Sequence, residues 1–548
     1  MNIYNFDFDR EIQKIFDFKF SKIRLVNWRK WLDISSKEEY ESLALKLSGL
    51  SDIDNLFERL KTEITKTKQV KVNKESFLNS FDKSDFIFLC HTSGTSGSEV
   101  SDLKWIHMSD VFIQTVWAPG MQAIFEASGL NRKSSAVIFV PSRTFEDGLK
   151  INRKQKMISL YSSEFSQRLM LSLIKPHQYL IDQYKNSKNL FVLEKILEME
   201  DISVVSAPAS TILIWANIEK FSRGIKNFLA KNSESDKIKN SALFKKIKNQ
   251  GLIATVKYIQ NELSKKLSKC TLVFSISSLT EHEWYQIRNF MRWEKNKENF
   301  TNLYVASEIG PFAATIRKST AIISPTDKMF IFPLNIPMIE IKGTRNLISH
   351  SDNKIGELLI SRISENEALL NIKTGDIITI KQQVGLPQIG GDILRANFQL
   401  KKKLKISSEL PIPKNYKILV GDYFDLEDIE IINPRRFSAC LAQNCGFQRK
   451  SIMLFKSQIN DQLWTMLIPI PSGNDCLDFK KFIQKLNLCP LSQNIRLAIE
   501  KNKLRLKFVE NIPLESEEKR HELLDKVNKG LLPTGILKKW PIYVIVPE

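Results

Sequence analysis

The 548 residues are 43% hydrophobic and 26% charged, ordinary globular usage that excludes a wholly disordered, collagen-like or coiled-coil chain and leaves room for about three or four domains. Lys and Arg outnumber Asp and Glu by 81 to 61, a net charge of +20. That balance either favours anionic partners such as nucleotides, nucleic acid or acidic lipid, or reflects a composition rich in Lys, Ile and Asn throughout. Six cysteines with no C-x-x-C spacing, of which only Cys440 and Cys445 are close, exclude a disulfide framework and cannot supply the four ligands of a structural zinc site.

Residues 1 to 80 read as helices, with Leu43, Leu45, Leu47, Leu50, Ile53, Leu56, Phe57 and Leu60 at near-helical spacing and Ser51-Asp52 as a cap between two of them. Asp7, Asp9 and Glu11 break the basic-then-apolar order of a signal peptide, and no stretch approaches the roughly 18 apolar residues of a membrane helix. The expected compartment is the cytoplasm. From Phe86 onward short apolar runs (86 to 90, 136 to 141, 203 to 207, 271 to 275, 303 to 306) alternate with longer periodic segments, the pattern of strands joined by helices and hence of an α/β fold. After about residue 330 shorter strands are predicted at 330 to 332, 339 to 342, 357 to 360 and 376 to 380, forming a smaller antiparallel sheet. From about 421, strands at 452 to 455, 464 to 470 and 504 to 509 mix with helices at 477 to 486 and 516 to 528, enough for a separate α+β unit.

Two segments look inserted. Residues 219 to 269 hold thirteen Lys and Arg against four Asp and Glu. Phe244, Ile247, Leu252, Val256, Ile259, Leu263 and Leu267 give this segment a helical apolar stripe, and the stripe either packs on its own domain or docks on an acidic partner or membrane surface. Residues 385 to 416, with Gly390-Gly391 and the run Lys401-Lys402-Lys403-Leu404-Lys405, read as a loop-rich excursion.

Three segments carry chemistry. Gly is scarce, 20 of 548, yet Thr92-Ser93-Gly94-Thr95-Ser96-Gly97 follows a predicted strand; such a loop wraps an anion with backbone N–H groups and hydroxyls. It is not a Walker loop, since no Gly-Lys-Ser/Thr follows, but Lys104 is within reach of a phosphate it holds. Further on, Tyr304-Val305-Ala306-Ser307-Glu308 runs from a strand end into a polar turn. A carboxylate there suits Mg²⁺, which takes one or two carboxylates plus substrate phosphate oxygens, and the aromatic four residues earlier can stack on a base. Finally Lys373-Thr374-Gly375-Asp376 presents an Asp that could accept hydrogen bonds from ribose hydroxyls. Core packing, surface charge and turn formation are the ordinary alternatives for these residues taken singly.

Together and in this order the segments resemble the adenylate-forming superfamily of acyl-CoA synthetases, adenylation domains and luciferase-like enzymes, with its T-S-G-T-T-G-x-P-K, N-x-Y-G-x-T-E and Y-x-T-G-D signatures. Ser275 to Thr280 is similar to the family's small-residue turn, and Gly356-Glu357-Leu358-Leu359-Ile360 to its G-E-L-x-I strand. The early loop most resembles the branch of phenylacetate-CoA ligases and acyl-protein synthetases. The resemblance implies a large N-terminal domain of stacked βα subdomains plus a small sheet (1 to 420), followed by a small mobile α+β lid (421 to 548). It implies ATP and Mg²⁺ as cofactors, and activation of a small carboxylic acid as an acyl-adenylate for transfer to CoA, a carrier-protein thiol or an amine.

By the same resemblance Thr92 to Gly97 and Lys104 hold ATP phosphates, Tyr304 stacks on adenine, Ser307 bonds phosphate, Glu308 ligates Mg²⁺ and Asp376 binds ribose. Lys519, in Ile512-Pro513-Leu514-Glu515-Ser516-Glu517-Glu518-Lys519, is the lid lysine, with Lys538 its competitor. Glu146, Asp147 and Ser277 are the substrate-side candidates. The sequence departs from the family at Val305, where Gly is usual, and at Asp422 in Gly421-Asp422-Tyr423-Phe424-Asp425, where the hinge motif has Arg. A reading from another class is a nucleotide-binding scaffold without turnover, which the basic segment and the altered hinge favour.

Overall fold

In the computed structural model the described residues run from Ile87 to Pro547 with interruptions, the longest at 92–104, 141–149, 316–328, 438–451, 471–483 and 513–541. The helices expected at 1 to 80, 477 to 486 and 516 to 528 fall outside them, but for single positions. The fold is mixed α/β. Its first part contains β1 (Ile87–His91), β2 (Trp105–Met108), a π-helical turn (Ile113–Trp117), α1 (Ala118–Ala127), β3 (Ser135–Val140), β4 (Lys150–Asn152), β5 (Met157–Tyr161), α2 (Ser162–Ile174) and β6 (Gln178–Gln183). Then come α3 (Leu190–Glu198), β7 (Ile202–Ser206), α4 (Ala209–Ala216), α5 (Ile218–Asn232), α6 (Asp236–Asn240), α7 (Ala242–Gln250), α8 (Leu252–Leu267), β8 (Thr271–Ser275) and α9 (Glu281–Phe290). β9 (Phe300–Ala306) and β10 (Gly310–Thr315) lead into β11 (Met329–Ile331), β12 (Ile336–Ile341), β13 (Thr344–Leu347), β14 (Ile355–Ser364), β15 (Glu367–Gln383) and β16 (Leu386–Arg395).

The central sheet has twelve strands in the order β13-β12-β14-β15-β16-β11-β10-β9-β8-β7-β3-β6. From β6 to β9 the pairing is parallel; from β9 to β13 it is antiparallel. The parallel half is covered on both faces, which is why its strands read as unbroken apolar runs. Ala136, Ile138 and Val140 of β3 pack with Phe125 and Phe165 on one face, while Val137 and Phe139 pack with Trp215, Ile196 and Val256 on the other. A separate four-stranded sheet, β2-β1-β5-β4, pairs β1 and β5 in parallel with His91 opposite Tyr161.

The strands β11 to β16 extend the central sheet instead of forming the smaller one expected. The basic segment takes the first of its two readings and packs on its own domain: α5 to α8 fold onto the central sheet, and Phe221, Ile225, Val256, Ile259, Leu263 and Leu267 are all fully buried. The Gln260 amide donates to the carbonyls of Trp215 and Ala216 at 2.7 and 2.9 Å, closing the end of α4. Residues 386 to 395, expected in a loop, form β16 between β15 and β11, because strand pairing on both sides outweighs the Gly390-Gly391 turn signal. The Asp376 segment is not a free turn but part of the seventeen-residue β15.

The final part contains β17 (Phe398–Gln399), β18 (Tyr416–Val420), β19 (Tyr423–Asp425), β20 (Glu430–Ile432), β21 (Ile452–Lys456), β22 (Trp464–Pro469), α10 (Gln493–Glu500), β23 (Leu504–Val509) and β24 (Ile542–Pro547). Six strands form a sheet in the order β17-β18-β24-β21-β22-β23. It takes in strands from both sides of the boundary expected at 420/421, since Ile418 and Val420 are buried with Met453, Leu467 and Ile545 in one cluster. Among the described residues no helix is long and apolar enough to cross a membrane.

Gly310 locks the β9–β10 turn onto the π-helical turn. Its φ is +78°, and a Cβ there would lie 2.9 Å from Val116 Cγ1 and 3.5 Å from Trp117. Strained backbone and a forced contact add, so Gly310→Ala is expected to cost about 2 to 3 kcal/mol, read as a lowered denaturation midpoint with an unchanged slope.

Candidate functional site

Two of the sequence-predicted residues meet directly. Tyr304, 2% exposed, lies on β9, its ring set edge-on to Phe312 at 5.4 Å between centroids, and its hydroxyl donates to Asp376 Oδ2 at 2.7 Å. Asp376 reaches it because β15 bulges. Glu357 pairs with Ile377 and Leu359 with Lys373, so two steps along β14 span four along β15 and Thr374 to Asp376 leave the ladder with β14. Gly375 adopts φ +79° in this bulge, a conformation cheap only for glycine. The Asp376 N–H donates to Thr374 Oγ1 at 3.1 Å, and that hydroxyl donates to the Leu358 carbonyl at 3.0 Å. The carboxylate is thereby aimed by its own turn.

Ser307 follows three residues after Tyr304. It is 7% exposed, and its hydroxyl lies 2.7 Å from that of Ser162, the first residue of α2. Ser162 follows Tyr161, which pairs with His91 at the end of β1. The chain therefore enters Thr92 to Gly97 from the strand end beside Ser162, and Ser307 is bonded to that same junction. Cys90, one residue before that strand end, is wholly buried, and burial pushes its thiol well above the ordinary value; it is no nucleophile at neutral pH. Burial likewise pushes the Cys270 thiol up to about 12.

Asp422 stands where the resembled hinge motif has Arg, and it serves the backbone. It is 5% exposed. Its N–H donates to the Arg395 carbonyl at 3.0 Å, its Oδ2 accepts the Arg395 N–H at 3.3 Å, and its carbonyl accepts the Asn433 N–H at 2.8 Å. Arg395 is in turn the residue directly opposite Asp376 in the β15–β16 pair, and the Ala396 N–H donates to the Gly375 carbonyl at 2.9 Å. One strand end thus links the Asp376 bulge to Asp422. Beyond it, the Tyr423 hydroxyl donates to Glu430 Oε1 at 2.7 Å; burial, then this carboxylate, raises the phenol above its ordinary value.

Thr92, Ser93, Gly94, Thr95, Ser96, Gly97, Lys104, Glu146, Asp147, Ser277, Glu308, Lys519 and Lys538 lie outside the described residues. Glu308 has fixed neighbours on both sides: Ser307, bonded to Ser162, and Ile309, fully buried with its N–H on the Ala306 carbonyl at 3.2 Å. Sequence reasoning did not single out Ser162, Phe312 or Arg395. The strand-to-helix junction Tyr161-Ser162-Ser163-Glu164 was the one readable signal, whereas Phe312 and Arg395 reach the site only through pairing.

No protein-family model and no curated protein matches the chain. Among solved structures it is similar to 2-hydroxyisobutyryl-CoA ligase, an open conformation in complex with 2-HIB-AMP and CoA, at 10% identity over 88% of this chain and 87% of that one, with a TM-score of 0.47. It is similar to fatty acyl-adenylate ligases from E. coli and L. pneumophila at 10% identity over 92% of each chain, TM-score 0.40. A third similar structure is an anthranilate CoA ligase in complex with anthranoyl-AMP, 12% identical over 80% of this chain and 66% of that one, TM-score 0.40. These similarities are distant.

Proposed function

We propose that the chain activates a carboxylic acid with ATP, forming an acyl-adenylate and pyrophosphate, and then passes the acyl group to a thiol of CoA or a carrier protein, or to an amine. The observation that carries this reading is the Tyr304–Asp376 hydrogen bond. It joins two motif segments 72 residues apart, beside a serine bonded to the junction from which the hydroxyl-rich loop departs.

In this reading Asp376 accepts hydrogen bonds from the ribose, and the Tyr304 hydroxyl holds the carboxylate in place for them. The Tyr304 ring, buried and edge-on to Phe312, has no open face for the adenine stacking expected of it, so its part is to hold Asp376; Ser307 bonds a phosphate, and Thr92 to Gly97 with Lys104 cradle the β and γ phosphates. Mg²⁺, held by Glu308 when bound, supplies charge neutralisation at the phosphates. The acid's own carboxylate is the nucleophile: one of its oxygens attacks the α-phosphorus, the bond to the bridging oxygen breaks, and pyrophosphate leaves with that electron pair. No general base is needed, because the attacking group is already ionised; alignment and charge compensation carry the step. Lys519, on a C-terminal region acting as a lid, compensates the charge that builds on the α-phosphate. Glu146, Asp147 and Ser277 belong to the acid's side of the site.

Pyrophosphate exchange assayed with a panel of carboxylic acids tests the reading. Acid-dependent exchange supports it; ATP binding with no exchange for any acid would favour the non-catalytic scaffold. A second test separates Asp376 from its support. The ribose is present in ground and transition states alike, so Asp376→Ala is expected to raise the ATP KM about tenfold or more with kcat nearly kept. Tyr304→Phe should raise it only several-fold, and the two changes together no more than Asp376→Ala alone. A collapse of kcat at constant KM would sink the ribose assignment.

A further inference from the structure

The outer face of the α7–α8 hairpin was left unused by the site. We infer that it is a docking surface for an anionic lipid bilayer. The opposite face of α8 is already spent, since Val256, Ile259, Leu263 and Leu267 are fully buried against the central sheet. Of the six lysines on α7 and α8, Lys266 turns back to the Leu197 carbonyl; the other five share the outer side with a single acidic residue, Glu262, which is paired with Lys265 at 2.8 Å. Lys245, Lys248, Lys257 and Lys265 are exposed.

Among these lysines stand two large apolar side chains that the fold leaves in water: Ile253, 54% exposed, and Tyr258, 41% exposed. They are five residues apart on α8, about 140° around its axis, so they stand at the two edges of its exposed face with Lys257 between them. The Lys246 ammonium sits 3.2 Å from the Tyr258 ring centroid, which fixes the ring and ties α7 to α8 at the surface. A lysine-rich helix face with an aliphatic and an aromatic side chain projecting from it matches the lipid headgroup boundary, where cations meet lipid phosphate and apolar groups enter the acyl region. Nucleic acid would satisfy the lysines but would give Ile253 nothing to enter. Binding therefore needs both contributions, an electrostatic one from Lys245, Lys248 and Lys257 and an apolar one from Ile253 and Tyr258. The inference is independent of the acid-activating reading, because none of these residues belongs to that site.

Co-sedimentation of the full chain with vesicles tests it. Because α5 to α8 contribute core residues, deleting the segment would unfold the protein, so exposed side chains are the ones to change. The wild type should bind mixed phosphatidylcholine–phosphatidylglycerol vesicles, ignore pure phosphatidylcholine, and lose affinity as salt rises from about 0.05 to about 0.5 M. Reversing Lys245, Lys248 and Lys257 to Glu should weaken binding at least about a hundredfold, at roughly fivefold or more per charge. Ile253→Ser with Tyr258→Ser should weaken it several-fold while leaving the salt dependence as it was. Circular dichroism and melting temperature should be unchanged in both variants. Equal binding to neutral vesicles, or anionic-vesicle binding untouched by either variant, overturns the inference. So does tighter binding to a duplex DNA or RNA competitor that the Ile253/Tyr258 variant leaves intact, which would make the surface a nucleic-acid site.

Discussion

Glu308→Gln is expected to lower pyrophosphate exchange about a hundredfold, roughly 2.7 kcal/mol at the transition state, with the fold kept. The substitution preserves size and removes one negative charge, so its effect falls on whatever cation Glu308 faces. Its neighbours limit any structural side effect: Ser307 is tied to Ser162 and Ile309 is buried against Phe312 and Ile378, and neither contact involves the residue 308 side chain. Part of the lost rate should return with Mn²⁺ in place of Mg²⁺, which tolerates mixed donors better. Exchange at the wild-type level would remove Glu308 from the site.

The second large effect concerns the lid. Lys519→Ala should slow adenylate formation about a hundredfold, on the order of 3 kcal/mol, because the charge that builds on the α-phosphate is left uncompensated in a partly dry cleft. Transfer of the acyl group from a presynthesised acyl-adenylate to its acceptor should hardly change, since in the proposed cycle the lysine has then moved away. Lys538→Ala is the matched comparison. If it alone loses adenylation, the terminal segment closes the site. If neither variant loses it, the C-terminal region takes no part in the first step and the scaffold reading gains.

The strands of the parallel half were legible because their reason for being apolar is local. Thr271 to Ser275 was expected as a strand and is one, residue for residue; in the six-stranded sheet the same holds for Leu504 to Val509. What failed were stretches whose structure is decided by a partner. Gly390-Gly391 signals a turn, but hydrogen bonding to β15 and β11 keeps those residues extended. Thr374-Gly375 also signals a turn, and there the signal was half right: the residues do leave the ladder, as a bulge within one continuous strand. In the basic segment the apolar stripe was readable; that it covers Trp215 and the central sheet depended on residues more than forty positions away. At the site, Tyr304 and Asp376 could each be nominated from their motif, but no spacing rule announces a bond across 72 residues. The replacement of Arg by Asp422 looked like decay of a hinge. It is a side chain closing the end of a strand with its own carboxylate and amide.

The parallel pairing of Ile87–His91 with Met157–Tyr161 has a consequence for how the protein matures. The strand that leads into the hydroxyl-rich loop gains its parallel partner only after some seventy further residues have been made, and Ser162 then needs Ser307, 145 residues later. Contacts of such long sequence separation form late, after the entropy of closing the intervening loops has been met. The proposed nucleotide site is thus among the last features to be completed on the way to the native state. A ligand that binds only there shifts the balance toward the finished fold, by about 2.7 kcal/mol at a hundredfold excess over its Kd. Cellular nucleotide would then act on the abundance of this protein as well as on its turnover, guarding completed molecules from proteolysis while unfinished ones stay exposed to it.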